Sequence, residues 1–156
     1  MRVAAYGEVD ELNAVLGLAR AHSADAAVRT LLHDIQKDLF ALGAQLTDPE
    51  ARIGSRKQKA AVTTAQVEVL ERAIGRAAGR DAGAAGLPPP GRRPRGRLPP
   101  SRPNGVPRRA ERATVSLARR EKVDPLVVAY MNRLSDLLFV LAREANLRAG
   151  EAEEKW

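Results

Sequence analysis

The sequence predicts an all-α protein, a bundle of five helices. Two observations carry this prediction. Aromatic residues make up only 3% of the 156 residues, and the composition is rich in alanine, arginine and glutamate, which favours helix over sheet. Apolar residues also recur at spacings of three and four along five segments, whereas no segment alternates as a half-buried strand would. The length suits one domain, so we expect residues 1–156 to form a single helical domain.

Several classes of protein are excluded by what the sequence lacks. It contains no cysteine, which excludes a disulfide framework and a thiolate metal site. The two histidines, His22 and His33, share no metal-ligand spacing, so no metal site is expected from them. No apolar run approaches the roughly 20 residues of a membrane span. No signal peptide can be read behind Arg2. We therefore predict a cytoplasmic protein that does not bind membranes.

The formal charge of +7 raises the question of nucleic-acid binding. The excess is local, because five arginines lie in one proline-rich segment and the rest of the chain carries about +2. These arginines are Arg92, Arg93, Arg95, Arg97 and Arg102. A charge that is concentrated in one unusual segment does not define a binding face, so no nucleic-acid partner is expected.

The first two helices are predicted from apolar periodicity. The first runs from about Tyr6 to Ala21, with Asp10 and Glu11 in or near its first turns, where the helix dipole favours acids. The second runs from about Asp25 to Leu46. The apolar stripes are Val9, Leu12, Leu16 and Ala19 in the first helix, and Val28, Leu31, Leu32, Ile35, Leu39, Leu42 and Leu46 in the second.

The other three helices are marked by their ends. Thr63 precedes Gln66 by three residues, which is a capping-box pattern and predicts the start of a third helix. A fourth helix is predicted from about Arg108 to Glu121. The last helix has Asp124 as its N-cap and Pro125 at its first helical position.

The last helix has two distinct faces. Its predicted core stripe is Val127, Met131, Leu134, Leu138, Leu141 and Ala145. A second face carries Asn132, Ser135, Asp136, Phe139 and Arg143, again at spacings of three and four. A surface helix usually carries lysine and glutamate there, so this mixture indicates a lined pocket. Spacing alone is equally consistent with a solvated flank or one that faces another subunit.

The segment RRAER is a candidate phosphate site. It places Arg108 and Arg112 one turn apart, with Arg109 and Glu111 between them. Arginines on successive turns can hold a polyphosphate through charge-assisted, bidentate hydrogen bonds. Taken alone, the segment is also consistent with a solvated helix face that carries its own ion pairs.

The segment before RRAER is unusual in composition. Eight of the ten prolines fall between Pro88 and Pro107, and proline neither continues a helix nor donates an amide proton to a sheet. We predict no regular structure over residues 82–107. The composition favours a flexible basic linker. A ligand for a proline-recognition domain is the alternative, but the segment has no apolar anchors.

Four segments together resemble the PduO-type ATP:cob(I)alamin adenosyltransferases. They are YGEVDELNAVLGLARA, HDIQKDLFALGAQL, RRAERATVSL and YMNRLSDLLFVLAREAN, in the family's order over most of the chain. The resemblance implies a five-helix bundle that forms a homotrimer, with active sites between subunits. It implies transfer of the 5′-deoxyadenosyl group of ATP, bound with Mg²⁺, to the cobalt of cob(I)alamin, which is a substrate. Cobalt is the nucleophile, so no catalytic side-chain nucleophile and no protein-bound metal are implied.

The resemblance also implies roles for individual residues. The ATP site would contain Arg108, Arg109, Glu111, Arg112 and Asn132, with the arginines mainly at the phosphates. Asp136 would support this pocket or a subunit contact. Asp10 resembles the acid that pairs across the interface with an arginine one turn before RRAER. Phe139 is the candidate aromatic near the corrin.

The chain departs from the family pattern in two places. Family members begin with a loop of the TRTGDxGxT kind that wraps the triphosphate, and here Met1 follows that position, as in a truncation or a misplaced start. Relatives also have a helix resembling LHLARTVC before RRAER. One codon choice for PPSRPNGVP translates as LHLARTVC when read one base later, so we expect a displaced reading frame between about Leu87 and Pro107.

Both departures bear on activity. The displaced frame leaves Asn104 where the family has the arginine that would face Asp10. We expect the chain as written to have little or no transferase activity, because the triphosphate loses donors and a cation. The alternative function is therefore a catalytically inactive helical bundle that only self-associates or binds corrinoid.

Overall fold

The computed structural model describes residues 1–47, 61–81 and 105–148, and these residues form five helices and no strand. The all-α prediction is therefore confirmed. The helices are α1 (Arg2–His22), α2 (Ala26–Thr47), α3 (Thr64–Asp81), α4 (Gly105–Ala118) and α5 (Pro125–Arg148).

Helix α4 lies between two helix pairs. α1 packs against α2, α3 packs against α5, and α4 contacts both α1 and α5. The core between them is almost entirely aliphatic, and its largest side chain is the fully buried Tyr130 of α5. The α4 residues Ala110, Thr114 and Leu117 are buried in this core. This packing places one side of RRAER against α1 and the other against α5.

The first helix begins one turn earlier than predicted. It starts at Arg2, and the amide of Ala5 donates to the carbonyl oxygen of Met1 at 3.0 Å. Arg and Ala are good helix formers, so the apolar stripe extends back to Ala5, which is buried. The prediction that Asp10 lies in or near the first turns is therefore wrong, because the first turn of α1 contains no acid. The predicted stripe also ends earlier, since Ala19 is exposed.

Helix α4 is displaced by three residues from its predicted range. It begins at Gly105 and ends at Ala118. The predicted irregular segment is therefore wrong for its last three residues, and residues 82–104 lie outside the described part of the chain. Pro107 is compatible with this start because the first turn of a helix does not use its amide protons.

The predicted helix starts are confirmed by their caps. A carboxylate oxygen of Asp25 accepts from the amides of Ala27 and Val28 at 2.8 and 3.2 Å. Asp124 accepts from the amide of Leu126 at 2.9 Å, and α5 begins at Pro125. At α3, the amide of Thr63 donates to the side-chain oxygen of Gln66 at 2.6 Å, the reciprocal half of a capping box.

Helix α5 has a broader buried face than predicted. Leu138 and Leu141 are partly buried and pack against the core, whereas Ala145 is exposed, so the predicted stripe is wrong at its last residue. The buried apolar residues are Val127, Tyr130, Met131, Leu134, Leu137 and Val140. Because α5 packs on both α3 and α4, its core face is wider than one heptad stripe. The helix is long and apolar enough to cross a membrane by length and composition alone, but this face is used inside the bundle.

A polar network connects α2, α3 and α5 within the bundle. The Tyr130 hydroxyl donates to one carboxylate oxygen of Asp38 at 3.0 Å, and the Gln66 amide donates to the other at 2.6 Å. Burial, followed by the nearby charge of Asp38, raises the pKa of Tyr130, so the phenol stays protonated. The network joins the start of α3 and the first turns of α5 to the middle of α2.

Candidate functional site

The first arginine of RRAER bridges α4 and α5. Nη1 of Arg108 donates to Oε2 of Glu111 at 2.7 Å, and Nη2 donates to Oδ1 of Asp136 at 3.0 Å. About a fifth of the Arg108 side chain, 22%, remains exposed. The guanidinium is therefore held by two carboxylates on different helices while one side stays accessible to a ligand.

Glu111 is the buried anion of this site. Its other carboxylate oxygen, Oε1, accepts from the side-chain amide of Asn132 at 2.7 Å. Burial alone would raise the pKa of Glu111, but hydrogen bonds from Asn132 and Arg108 outweigh it, and the pKa lies below its usual value. Ser135, which is buried on the same face of α5, contributes in the same direction. Glu111 is therefore ionised and orients both Arg108 and Asn132.

Asp136 is shared between two arginines. Its Oδ2 faces Nη1 of Arg133 at 3.4 Å, while its Oδ1 holds Arg108. Nε of Arg133 in turn lies 3.2 Å from Oε1 of Glu71 on α3. A chain of alternating charges thus runs from α3 through α5 to the arginine on α4.

The second arginine of RRAER is directed to a different helix. Arg109 is hydrogen-bonded and ion-paired to Glu8 and Glu11 of α1. The hydrogen bonds that Arg109 donates to Glu11 and Glu8 raise its pKa. Glu11 is one of the two acids that were expected in or near the first turns of α1. In the structure it pairs with Arg109 of α4 instead. The side chains of Arg108 and Arg109 therefore diverge, although the sequence analysis placed both at the ATP phosphates.

Two further candidates lie near this site on the outer faces of the helices. Arg112 is exposed, one turn after Arg108 on α4. On α5, the guanidinium of Arg143 lies 6.0 Å from the ring centroid of Phe139, a cation–π distance. Phe139 is only partly buried, so its ring is available to a ligand or to a neighbouring subunit.

Asp10 lies apart from the α4–α5 site, on a groove between α1 and α2. The groove has a volume of about 200 Å³ and is lined by Tyr6, Asp10 and Phe40 among others. Its floor is Gly43, where an added Cβ would lie 3.1 Å from the Tyr6 ring. Within the described residues of one subunit, Asp10 forms no ion pair with α4. The expectation that it pairs across a subunit interface therefore stays a prediction.

The structure brings together part of the predicted site and adds residues that the sequence analysis missed. Arg108, Glu111, Asn132 and Asp136 form one connected cluster. Arg133, Glu71 and Glu8 were not predicted. Arg133 lies inside the NRLSD segment but no role was expected for it, and Glu71 lies in none of the segments that carried the resemblance. The spacing of Arg133 and Asp136, three residues apart on one helix, was the one available signal for their pairing.

Comparison with known proteins identifies the family. A family model for cobalamin adenosyltransferase matches residues 1–145. The chain belongs to the cobalamin adenosyltransferase family. The α4–α5 cluster consists of residues from the two motifs, RRAER and NRLSD, on which the resemblance was based.

Relatives and solved structures of this family cover most of the chain. A corrinoid adenosyltransferase PduO of Salmonella typhimurium is 40% identical over 152 residues, 97% of this chain and 44% of the relative. A cobalamin adenosyltransferase of Cupriavidus metallidurans is 38% identical over 157 residues, 100% of this chain and 80% of the relative. The chain thus spans less than half the length of the Salmonella protein.

Two structures of variants of a PduO-type ATP:corrinoid adenosyltransferase from Lactobacillus reuteri are also similar. One is complexed with ATP and has a TM-score of 0.72 at 28% identity, covering 99% of this chain and 86% of the other. The other is complexed with cobalamin and ATP and has a TM-score of 0.71 at 29% identity, covering 99% and 85%. The five-helix bundle of this chain is therefore the fold of its family.

Proposed function

We propose that this protein transfers the 5′-deoxyadenosyl group of ATP to cob(I)alamin. The observation that carries the proposal is the cluster of Arg108, Glu111, Asn132 and Asp136, where the two family motifs meet between α4 and α5. Membership of the family and the ligands of the Lactobacillus structures, ATP and cobalamin, support the same reaction.

The reaction requires the protein to bind and orient ATP rather than to supply a nucleophile. The cobalt of cob(I)alamin attacks the 5′-carbon, a cobalt–carbon bond forms, and the carbon–oxygen bond breaks. Triphosphate leaves with the electron pair of that bond. The developing charge lies on the leaving phosphates, so cations that are aimed at them before the reaction lower its barrier.

Arg108 is the cation best placed for this task. Its guanidinium is fixed by two carboxylates and keeps an exposed side, and Arg112 lies on the next turn. An ionised Glu111 would repel phosphate, so we assign it to orienting Arg108 and Asn132. Asn132 would then contact the nucleotide through its carbonyl oxygen or its second N–H, because one N–H donates to Glu111.

Arg109, Glu111 and Asp136 are assigned to roles other than binding the phosphates of ATP. We propose that Arg109 mainly holds α1 against α4, since its guanidinium is occupied by Glu8 and Glu11. Because Glu111 and Asp136 already pair with arginine, Mg²⁺ would arrive bound to the phosphates of ATP rather than to these side chains.

We also infer that the protein forms a homotrimer, as its resemblance to the family implies. Five large apolar side chains on α1 and α2 are exposed in the single subunit: Val3, Tyr6, Val15, Leu18 and Phe40. Phe40 is 78% exposed, which is unusual for a phenylalanine on a helix that otherwise has a regular core stripe. Asp10 lies in the same groove, so a neighbouring subunit that covers it would face this acid. We place the trimer in the cytoplasm, where ATP is available.

The alternative is a helical bundle that binds corrinoid or itself without catalysis. One observation favours it: Asn104 stands where the family pattern has an arginine, which leaves Asp10 without the expected partner. An anaerobic assay with ATP and chemically reduced cobalamin distinguishes the two functions. The 156-residue chain should be compared with a version preceded by a TRTGDxGxT-type loop. ATP-dependent adenosylcobalamin formation by either supports the enzyme, whereas corrinoid binding without product in both supports the alternative.

A further inference from the structure

Three contacts between oppositely charged side chains connect helix α3 to Arg108, the first arginine of RRAER. Glu71 of α3 pairs with Arg133 of α5 at 3.2 Å, and Arg133 faces Oδ2 of Asp136 at 3.4 Å. Oδ1 of the same Asp136 binds Arg108 at 3.0 Å. The two arginines therefore occupy different oxygens of one carboxylate.

We propose that Arg133 is a positioning residue for ATP, which holds the carboxylate of Asp136 through its second oxygen and is itself held by Glu71. This inference rests on the proposed function, because it assigns Arg108 to the phosphates. Arg133 acts through Asp136 and does not need to touch the nucleotide.

The first part of the argument is geometric. A carboxylate with a fixed orientation holds the guanidinium beside it in one direction, which pre-organises that arginine for a phosphate. Asp136 is 29% exposed and could rotate about its side-chain bonds if only Arg108 held it. Contact with Arg133 on the same helix face, three residues before it, restricts that rotation.

The second part of the argument is electrostatic. Two carboxylates, Glu111 and Asp136, surround the single guanidinium of Arg108. This group carries a net negative charge and would repel a triphosphate. Arg133 supplies the second cation that neutralises it. Without Arg133, Asp136 would also compete more strongly with phosphate for Arg108. Both effects of Arg133, on the orientation of Asp136 and on the charge of the site, therefore increase the affinity for ATP.

Glu71 has a smaller role than Arg133, because its two effects on ATP binding oppose each other. Its side chain is 53% exposed, and it contacts Nε of Arg133, the atom that does not face Asp136. Replacing Glu71 by glutamine removes an orienting partner but also one negative charge near the site. The two effects oppose each other, so we expect Glu71→Gln to weaken ATP binding less than Arg133→Ala.

The test is ATP binding to the folded 156-residue chain by isothermal titration calorimetry. Arg133→Ala should raise the Kd for ATP by about threefold to fivefold, the scale of one partly exposed ion pair. Arg133→Lys should recover part of the loss, because an ammonium can still reach Asp136. Arg72→Ala is the matched control, because among the described residues Arg72 pairs with Glu68 on the exposed face of α3 at 3.6 Å and not with Asp136. A Kd for Arg133→Ala equal to that of Arg72→Ala overturns the proposal.

A second measurement separates this inference from the proposed function. If neither the unsubstituted chain nor the version preceded by the TRTGDxGxT-type loop binds ATP, the proposed function fails, and the positioning role is judged from stability instead. The free energies of unfolding of Arg133→Ala, Arg108→Ala and the double variant then form a cycle. Coupling between these two residues, which both contact Asp136, supports the positioning role. Strict additivity contradicts it.

Discussion

At the scale of single residues, Glu111 is the group whose protonation controls the α4–α5 cluster. It accepts from Arg108 and Asn132, and its pKa is lowered despite its burial. A carboxylate with a lowered folded-state pKa contributes stability above its unfolded pKa and loses that contribution as pH falls. The cluster should therefore weaken in acid.

This pH dependence can be measured with Glu111→Gln. At neutral pH the variant should be less stable than the parent chain, since it loses charge-assisted hydrogen bonds. The difference in the free energy of unfolding should narrow as pH falls through about 4.5, the ordinary pKa of this side chain. Urea unfolding at several pH values measures it. A difference that stays constant, or that grows in acid, would show that Glu111 is not the ionised partner of Arg108.

Asn132 provides a second test at the residue scale. Its side-chain amide donates to Glu111, so Asn132→Asp would place a second carboxylate against an ionised one. We expect a loss of about 2 kcal/mol in the free energy of unfolding, on the scale of a broken charged hydrogen bond in a partly buried site. Asn146→Asp is the control, since Asn146 lies exposed on the same helix. Equal stability of the two variants would contradict the contact between Asn132 and Glu111.

At the scale of helices, the sequence predicted the starts of the capped helices α2, α3 and α5 better than the starts of α1 and α4 or the faces that the helices bury. Asp25, Asp124 and the Thr63–Gln66 pair identify helix starts because capping depends on local hydrogen bonds. The buried face of α5 was predicted incompletely, because it is set by two packing partners that are distant in sequence. Tyr130 was not assigned to the core for this reason, although it is its largest fully buried side chain.

Tyr130→Phe tests the network that joins the helices. The substitution keeps the ring and removes only the hydroxyl that donates to Asp38. It should lower the free energy of unfolding by about 1–2 kcal/mol, the range for a buried hydrogen bond whose acceptor is charged. Tyr6→Phe on the exposed groove should have little effect on the single subunit. If both substitutions prove neutral, the Tyr130–Asp38 hydrogen bond is not formed in solution.

Alkaline pH gives an independent readout of the same hydroxyl. The pKa of Tyr130 is raised in the folded state, so its contribution is complete below the unfolded pKa of about 10 and is lost as pH rises further. The parent chain should therefore lose more stability above that pH than Tyr130→Phe does. Thermal unfolding in alkaline buffers measures the difference.

At the scale of the whole molecule, the candidate site shows what a single sequence can and cannot provide. Arg108 and Asn132 were predicted because each lies in a recognisable motif. The divergence of Arg108 and Arg109 was not, since it depends on α4 lying between α1 and α5. The ion pair between Glu71 and Arg133 was not predicted either, because it depends on the packing of α3 on α5. Contacts between distant elements carry the missing information.

The exposed apolar face of α1 and α2 predicts the assembly. Phe40→Glu should convert the proposed trimer to monomers, because it places a charge in the interface while the buried core of the subunit is untouched. Val69→Glu on α3 is the control, since Val69 is 41% exposed on a helix that we do not place in the interface. Sedimentation velocity measures both. If the Phe40→Glu variant is still a trimer, the interface lies on another face of the subunit. If the parent chain is a monomer, the proposed trimer is wrong.

The most direct test of the central claim is the rate of adenosylcobalamin formation by a matched pair of arginine variants. The background should be the chain with the TRTGDxGxT-type loop placed before Met1 and the LHLARTVC-type helix restored before RRAER. Arg108→Ala should slow the ATP-dependent reaction by about a hundredfold or more, the scale of losing one preorganised electrostatic contact in the transition state. Arg120→Ala, beyond the end of α4, should leave the rate within about twofold of the parent. Equal rates for the two variants would contradict the assignment of RRAER to the phosphates of ATP.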